Sequence, residues 1–207
     1  MEILYFIDII GIISFAISGF LISIKHNLDM LGIFLMASLT ALGGGIIRDT
    51  IAGRIPYSFV DSILPMTVLV TVVFSIILKL HQRENLDRKE LFIMSDSLGL
   101  ISFSISGALV ALEVGANYFG VIILAFTTAV GGGIIRDTLI NHVPLVLTKD
   151  FYGTVAIIVA TVLYILNSFD ILNNISILCV FGFGLVLRIL AYKYKWKLPK
   201  FTTIEKD

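Results

Sequence analysis

Long apolar runs separated by short polar loops make up almost the whole chain. An α-helix needs about 20 apolar residues to cross the hydrocarbon core of a bilayer, which is about 30 Å thick. The pattern therefore predicts an all-α integral membrane protein with seven transmembrane helices in one transmembrane domain, 1–207. The predicted spans are 3–24, 28–46, 62–80, 91–112, 116–134, 151–168 and 171–192.

Composition supports this division and narrows the class of protein. Hydrophobic residues make up 57% of the 207 residues, charged residues make up 14%, and the mean hydropathy is +1.00. A soluble domain has an apolar share of about 45–50%, so this chain is too apolar to be one. Cys179 is the only cysteine, which excludes an intramolecular disulfide and a thiolate metal cluster.

One phrase of eight residues occurs twice, at the ends of the second and fifth apolar runs. Residues 43–50 and 131–138 both read Gly-Gly-Gly-Ile-Ile-Arg-Asp-Thr. Glycines weaken a helix, and irregular backbone inside a membrane is tolerated only where protein buries it or water reaches it. We therefore expect the second and fifth helices to be broken at these glycines, as in transporters with a pathway through the membrane. The glycines are Gly43, Gly44, Gly45, Gly131, Gly132 and Gly133.

The repeated phrase belongs to a longer internal duplication. An offset of 88 residues aligns 8–56 with 96–144 without a gap, with 22 identities in 49 positions. We infer a first three-helix repeat over 1–80, a second over 89–168, and an unpaired seventh helix over 171–192. Because each repeat has an odd number of spans, the second copy enters the membrane from the opposite side, and the repeats are inverted.

A small and polar stripe follows one face of the first span and of its repeat. Asp8 begins the stripe, and a carboxylate within a membrane span is a functional candidate by default. The serines of these spans, Ser14, Ser18, Ser102 and Ser106, fit two interpretations. Small and hydroxylated residues favour close helix packing, and a continuous polar face also suits a pore wall.

The distribution of lysine and arginine predicts the orientation in the plasma membrane. The side with the N-terminus and the loops after the second, fourth and sixth spans has 2 basic residues, against 13 on the other side. Because basic residues accumulate in the cytoplasm, we expect an outside N-terminus and a cytoplasmic C-terminus. The aromatic and basic tail 188–197 predicts an anchor among membrane lipids.

The doubled phrase identifies the chain as resembling the prokaryotic branch of the trimeric intracellular cation (TRIC) channel family. The resemblance covers nearly the whole sequence and rests on two Gly-Gly-Gly-x-x-Arg-Asp repeats followed by a lone seventh span. It implies a homotrimer in which each protomer has its own pore, lined around the second and fifth spans and passing potassium and sodium. Some bacterial relatives have instead been described as glycine transporters.

A cation path at the two breaks has a physical basis in the sequence. A helix that stops before the triplet presents unpaired carbonyl groups, which suit a partly dehydrated monovalent cation. Thr40 and Thr128 lie one turn earlier and add hydroxyl ligands. From the symmetry we expect crossed ion pairs, in which Arg48 lies near Asp137 or Asp96, and Arg136 lies near Asp49 or Asp8.

A carrier of a small zwitterion remains the alternative, because an arginine and an aspartate would bind the two charges of glycine. An enzyme is not expected: His26, His81 and His142 all lie in loops, and no catalytic or metal-ligand spacing occurs. We expect no cofactor, no metal beyond transient K⁺ or Na⁺, and no nucleic-acid partner.

Overall fold

A computed structural model describes residues 2–82, 85–148 and 151–199 of the chain. The described residues form α-helices joined by short turns and no strand, which confirms the all-α class. The helices are α1 (Glu2–Lys25), α2 (Met30–Ile51), α3 (Tyr57–Val60), α4 (Ile63–Ile77), α5 (Asn85–Glu113), α6 (Tyr118–Leu139), α7 (Leu145–Thr148), α8 (Tyr152–Ser168) and α9 (Asn174–Lys193). A 3₁₀ turn, Leu80–Gln82, precedes α5.

Each predicted span coincides with one apolar helix, although the helices differ in length. Five of them, α1, α2, α5, α6 and α9, are long and apolar enough to cross a membrane. The other two, α4 and α8, have 15 and 17 residues, or about 22–26 Å at 1.5 Å per residue. The helix α4 ends three residues before the predicted end of its span, 62–80, whereas α8 agrees with the predicted span 151–168 to within one residue.

Four helices, α1, α2, α5 and α6, form the centre of the bundle by packing against one another. On one side α4 packs against α1 and α2, and on the other side α8 packs against α5 and α6, with α9 against α8 and α5. At the centre of the bundle the rings of Phe15 and Phe103 are in contact, with centroids 5.3 Å apart. These two residues occupy equivalent positions of the duplicated sequence.

The turns of the two repeats use equivalent residues. The side chains of Asp29 and Asn117 cap α2 and α6 by accepting hydrogen bonds from Gly32 N and Gly120 N. The turn after α1 has Asn27 in the left-handed conformation, and the turn after α5 has Gly115 there. Glycine and asparagine adopt this conformation at low cost, so both sequences close the same kind of turn.

The prediction of broken helices is wrong. Both α2 and α6 are helical without interruption through 43–45 and 131–133 and continue to Ile51 and Leu139. The glycines serve a different purpose, which is the close crossing of α2 over α6. A Cβ atom on Gly44 would clash with the carbonyl oxygen of Thr128, and one on Gly132 would clash with the carbonyl oxygen of Thr40.

This crossing explains the presence of Gly44 and Gly132 inside continuous helices. The second hydrogen of a glycine Cα occupies the direction of the missing Cβ, so at Gly44 and Gly132 it points at the carbonyl oxygen of the other helix. Such Cα–H···O contacts recur where helices approach closely. The two contacts are equivalent in the duplicated sequence, because Gly44 and Thr40 correspond to Gly132 and Thr128.

Four of the basic residues used to predict the orientation lie outside the described residues. They are Arg83, Lys149, Lys200 and Lys206.

Candidate functional site

The first of two buried ionic networks is centred on Arg48 of α2. Its Nη1 atom donates to Asp8 of α1, 2.9 Å from Oδ1 and 2.8 Å from Oδ2, and its Nε atom donates to Oδ1 of Asp49 over 2.8 Å. Ser106 of α5 accepts a hydrogen bond from Nη1 of Arg48 and donates one to Oδ1 of Asp8 over 2.6 Å. All three charged side chains are buried.

The second network repeats the first at positions 88 residues later. Arg136 of α6 is fully buried, and its Nη1 atom lies 2.7 Å from Oδ1 of Asp96 on α5. Its Nε atom donates to Asp137 over 2.8 Å, and Nη1 also donates to the hydroxyl of Ser18 on α1 over 2.6 Å. Each arginine therefore joins two carboxylates of its own repeat and a serine of the other repeat.

The aspartate that follows each arginine also fixes the path of the chain. Oδ2 of Asp49 accepts a hydrogen bond from the backbone of Tyr57 over 2.9 Å, and Oδ2 of Asp137 accepts one from Leu145 over 2.8 Å. Tyr57 and Leu145 are the first residues of α3 and α7. The Arg-Asp pair thus connects the end of a long helix to the segment that leads into the next span.

The crossed pairing of arginines and aspartates is wrong. Arg48 pairs with Asp8 and Asp49, and Arg136 pairs with Asp96 and Asp137. The reason is the short turn between α1 and α2, which makes these helices antiparallel neighbours. Asp8 lies almost as many residues before this turn as Arg48 lies after it, so the two side chains meet at one level of the bundle. The serines are the side chains that cross between repeats.

The predicted polar stripe lies inside the bundle. Ser14, Ser18, Ser102 and Ser106 are all buried, and Gly11 faces Ser102 across the contact between α1 and α5. Two of these serines belong to the ionic networks described above. Ser102 lies at the α1–α5 contact, and its hydroxyl has no hydrogen-bond partner among the described residues.

Thr40 and Thr128 are fully buried at the α2–α6 crossing. Their hydroxyls donate to the carbonyl oxygens of Met36 and Leu124, one turn earlier in the same helices, over 2.7 and 2.6 Å. The remaining glycines of the triplets differ in their surroundings. A Cβ on Gly43 or Gly131 would meet an isoleucine of the other helix at 2.6 or 2.8 Å, whereas one on Gly45 or Gly133 would meet no atom closer than 3.7 Å.

The two networks differ at their outer ends, which the repeat did not predict. Arg54, one third exposed, donates to Asp49 over 3.2 Å and to Glu113 over 3.4 Å. The residue equivalent to Arg54 is His142, whose ring contacts that of His26 at a centroid distance of 5.0 Å. The second network is instead closed by Phe92, whose ring centroid lies 4.9 Å from the guanidinium carbon of Arg136.

A cavity of about 1110 Å³ opens beside the second network. It lies on the side of the bundle that holds the α1–α2 turn and the end of α9, and Asp96 and Phe92 are part of its lining. Arg188 of α9, which sequence analysis placed only in the basic tail, also lines it. In the part of the chain that the structure describes, no cluster of three or more His, Cys, Asp or Glu side chains is arranged to hold a metal ion.

Comparison with known proteins agrees with this architecture. A family model described as "Glycine transporter" matches residues 5–80 and 93–168. The UPF0126 membrane protein YvgT of Bacillus subtilis is 33% identical over 204 residues, which are 93% of this chain and 94% of that protein.

Two solved structures cover nearly the whole chain. A TRIC cation channel structure is similar with a TM-score of 0.85 and 36% identity, over 98% of both chains. A prokaryotic TRIC channel crystallised in 0.5 M KCl is similar with a TM-score of 0.87 and 32% identity, over 95% of this chain and 99% of that chain.

Proposed function

Since this chain belongs to the TRIC family of multi-pass membrane proteins, we propose that it is a channel for monovalent cations, potassium and sodium. The pore lies within each protomer, around α2 and α6. The observation that carries this proposal is the pair of equivalent Arg-Asp-Ser networks beside one close crossing of α2 over α6. Similarity to TRIC cation channels over nearly the whole chain supports it.

The buried carboxylates supply the cation chemistry. Among the described side chains, Asp8 and Asp96 are the buried carboxylates of α1 and α5, and each forms a salt bridge with an arginine. Each arginine acts as a tethered cation in the place that a permeating ion would take. A K⁺ ion passes when the arginine moves away from the carboxylate oxygens. The serine hydroxyls, and any backbone carbonyls freed by motion of α2 and α6, then replace part of the hydration shell of the ion.

The glycine pair makes such motion possible. At the crossing, Gly44 and Gly132 have no side chain, and each faces a backbone carbonyl oxygen of the other helix. A small rotation or separation of the two helices therefore changes this backbone contact. Thr40 and Thr128 lie beside these glycines and gain access to the path when the helices part. The triplets are thus proposed to form the gate of the pore.

The assembly follows the family. We propose a homotrimer in a plasma membrane with an outside N-terminus and a cytoplasmic C-terminus, in contact with membrane lipids through the tail after α9. Within each protomer, 1–80 and 89–168 form the inverted repeats and 171–192 forms the added seventh helix. No catalytic role is proposed.

A glycine carrier is the second candidate, and the description of the matching family model favours it. The same buried arginines and aspartates would then bind the carboxylate and the ammonium group of the substrate. The two functions differ in rate, because a carrier moves one substrate per conformational cycle and a channel passes a continuous current.

Purified protein in planar bilayers distinguishes these functions. With a KCl gradient, we expect single-channel currents that reverse near the K⁺ equilibrium potential. Asp96→Asn should lower the current, whereas Glu113→Gln, which alters an exposed carboxylate, should retain it. Uptake of labelled glycine into vesicles is measured on the same preparations. Saturable glycine uptake by protein that passes no K⁺ current would refute the channel and support the carrier.

A further inference from the structure

Arg188 is a buried cation without a counter-ion among the described residues. Its exposed fraction is 6%, and its Nε atom has no hydrogen-bond partner there. No carboxylate oxygen of the described residues lies within 4.0 Å of its nitrogens. Arg48 and Arg136, the other buried arginines in the part of the chain that the structure describes, each contact two carboxylates.

A guanidinium in this position is costly unless an anion accompanies it. Charged groups within a membrane span are rare and are almost always paired, and an uncompensated buried charge destabilises a protein strongly. The face of Tyr152 supplies only part of the compensation, because the guanidinium carbon lies 4.6 Å from the ring centroid. A planar guanidinium presents its N–H groups along its edge, where two parallel hydrogen bonds to one anion can form.

The surroundings of Arg188 favour a negatively charged ligand. Among the described residues that line the cavity beside it, Asp96 is the only acidic one, and Nη1 of Arg136 lies 2.7 Å from Oδ1 of that carboxylate. Exposed lysines from the end of α1, from α5 and from the chain at and after the end of α9 also line the cavity. They are Lys25, Lys89, Lys193, Lys195 and Lys197.

We propose that this cavity is a binding site for an oxyanion, a phosphate or carboxylate group, with Arg188 as its anchor. The planar fork of an arginine matches two oxygens of such a group, and the lysines attract it by their charge. The bound group supplies the missing counter-ion of Arg188 and offsets the positive charge of the cavity beside Asp96. The site is distinct from the two Arg-Asp-Ser networks and does not depend on the channel function.

Thermal unfolding of the purified protein tests this site. Inorganic phosphate is added at constant ionic strength to protein in phosphatidylcholine nanodiscs, with chloride as the reference anion. We expect phosphate to raise the melting temperature of the wild type in a saturable manner. Arg188→Met should abolish this rise, Arg188→Lys should weaken it, and Lys79→Met, which alters an exposed lysine outside the lining of the cavity, should change it little. We also expect Arg188→Met to melt at a higher temperature than the wild type in chloride, because it removes an uncompensated charge.

Two further arms identify the source of the oxyanion. If phosphatidylglycerol in the nanodisc stabilises the wild type and removes its response to phosphate, a lipid headgroup supplies the group. If glycine gives the saturable, Arg188-dependent rise, the site binds the carboxylate of a zwitterion.

Two results would overturn the proposal. One is the absence of a response to phosphate, glycine and phosphatidylglycerol, and the other is an equal response in Arg188→Met, which would mean general screening of the lysines. These measurements detect binding and are independent of the K⁺ current. Failure of the proposed oxyanion site would therefore not contradict the channel function.

Discussion

At the scale of residues, the arginine of each network is held by groups from three helices. Arg48 on α2 contacts a carboxylate on α1 and a hydroxyl on α5. The groups that compensate its charge therefore stay in place only while all three helices are packed together. Charges buried in this way contribute little net stability when they are paired and cost a great deal when one partner is removed. We therefore expect the ion pairs of each network to break when its helices move apart.

Removal of Arg48 should destabilise the protein, and a second substitution should restore much of the loss. Arg48→Met leaves Asp8 as a buried carboxylate with a serine as its partner, at a cost of about 3–5 kcal/mol. Adding Asp8→Asn removes that charge and should recover most of the melting temperature. Thermal unfolding in detergent measures both steps.

The control for this rescue is Arg48→Met with Asp96→Asn. Asp96 belongs to the second network, and on α5 it lies ten residues, or about 15 Å, from Ser106 of the first. Substitutions at separate sites add, so this pair should be less stable than Arg48→Met alone. Rescue by Asp96→Asn instead of Asp8→Asn would contradict the observed pairing. Stabilisation of the wild type by glycine, absent in Arg48→Met, would instead mean that Arg48 binds substrate.

Much of this site could be predicted from the sequence, but its pairing could not. The repeat identified Asp8, Arg48, Asp49 and their equivalents as a set, because all three residues recur at an offset of 88 residues. Symmetry alone allowed each arginine to pair within or between repeats, and the choice follows from the level at which an antiparallel hairpin brings its residues together. Arg188 and Tyr152 lie outside the repeated phrase, and no pattern in the sequence connects them.

At the scale of elements, the crossing of α2 over α6 determines how the two repeats meet. Two helices can approach this closely only where both have glycine, since any side chain at Gly44 or Gly132 would overlap a carbonyl oxygen. The helix propensity of glycine is about 1 kcal/mol poorer than that of alanine, and the close packing of the two helices offsets this cost.

Gly44→Ala should therefore damage the bundle, whereas Gly45→Ala should be tolerated. The added methyl of Gly44→Ala would overlap the carbonyl of Thr128, and overpacking of this kind costs about 1–3 kcal/mol or more. At Gly45 the nearest atom to a new Cβ is Nη2 of Arg48, 4.0 Å away, so the better helix propensity of alanine should leave stability equal or higher. Melting temperatures of the two variants test this difference.

Current recordings extend the comparison to function. Because Gly44 lies at the proposed gate, Gly44→Ala should reduce the K⁺ current of any protein that still assembles, and Gly45→Ala should conduct like the wild type. Equal stability and equal current in both variants would mean that the crossing is not as close as described.

The extent of the helices could be predicted from hydropathy, and the continuity of α2 and α6 could not. The helices that correspond to six of the predicted spans begin within three residues of the predicted start, whereas α5 begins at Asn85, six residues before its predicted start at 91. The ends at Ile51 and Leu139 lie five residues beyond the predicted ends. The triplets were interpreted as breaks because glycine is unfavourable in an isolated helix. Only the neighbouring helix shows that the same glycines are needed for packing.

At the scale of the whole molecule, the wide apolar surface of the bundle must face lipid or other protomers. Many large apolar side chains on α2, α4 and α9 are exposed, as expected for membrane helices. We expect chemical cross-linking in mild detergent to give dimers and trimers and to stop there, because the proposed assembly is a homotrimer. Cross-linked species that end at dimers, or that continue beyond trimers, would contradict this assembly.

The orientation in the membrane can be tested from the two ends of the bundle. The predicted cytoplasmic side has most of the basic residues, including Lys25 and the lysines after α9, whereas the predicted outside has Arg48 and Arg54, and Arg48 is buried in an ion pair. In a Cys179→Ser background, Ile55→Cys places a thiol at an exposed position between α2 and α3, and Lys197→Cys places one after α9. With intact cells, a membrane-impermeant maleimide should label Ile55→Cys, and Lys197→Cys should react only after the cells are opened. Equal labelling of both variants in intact cells would indicate a mixed orientation. The reverse pattern would mean that the positive charge beside the second network faces outward, and the cavity of Arg188 would then take its oxyanion from outside the cell.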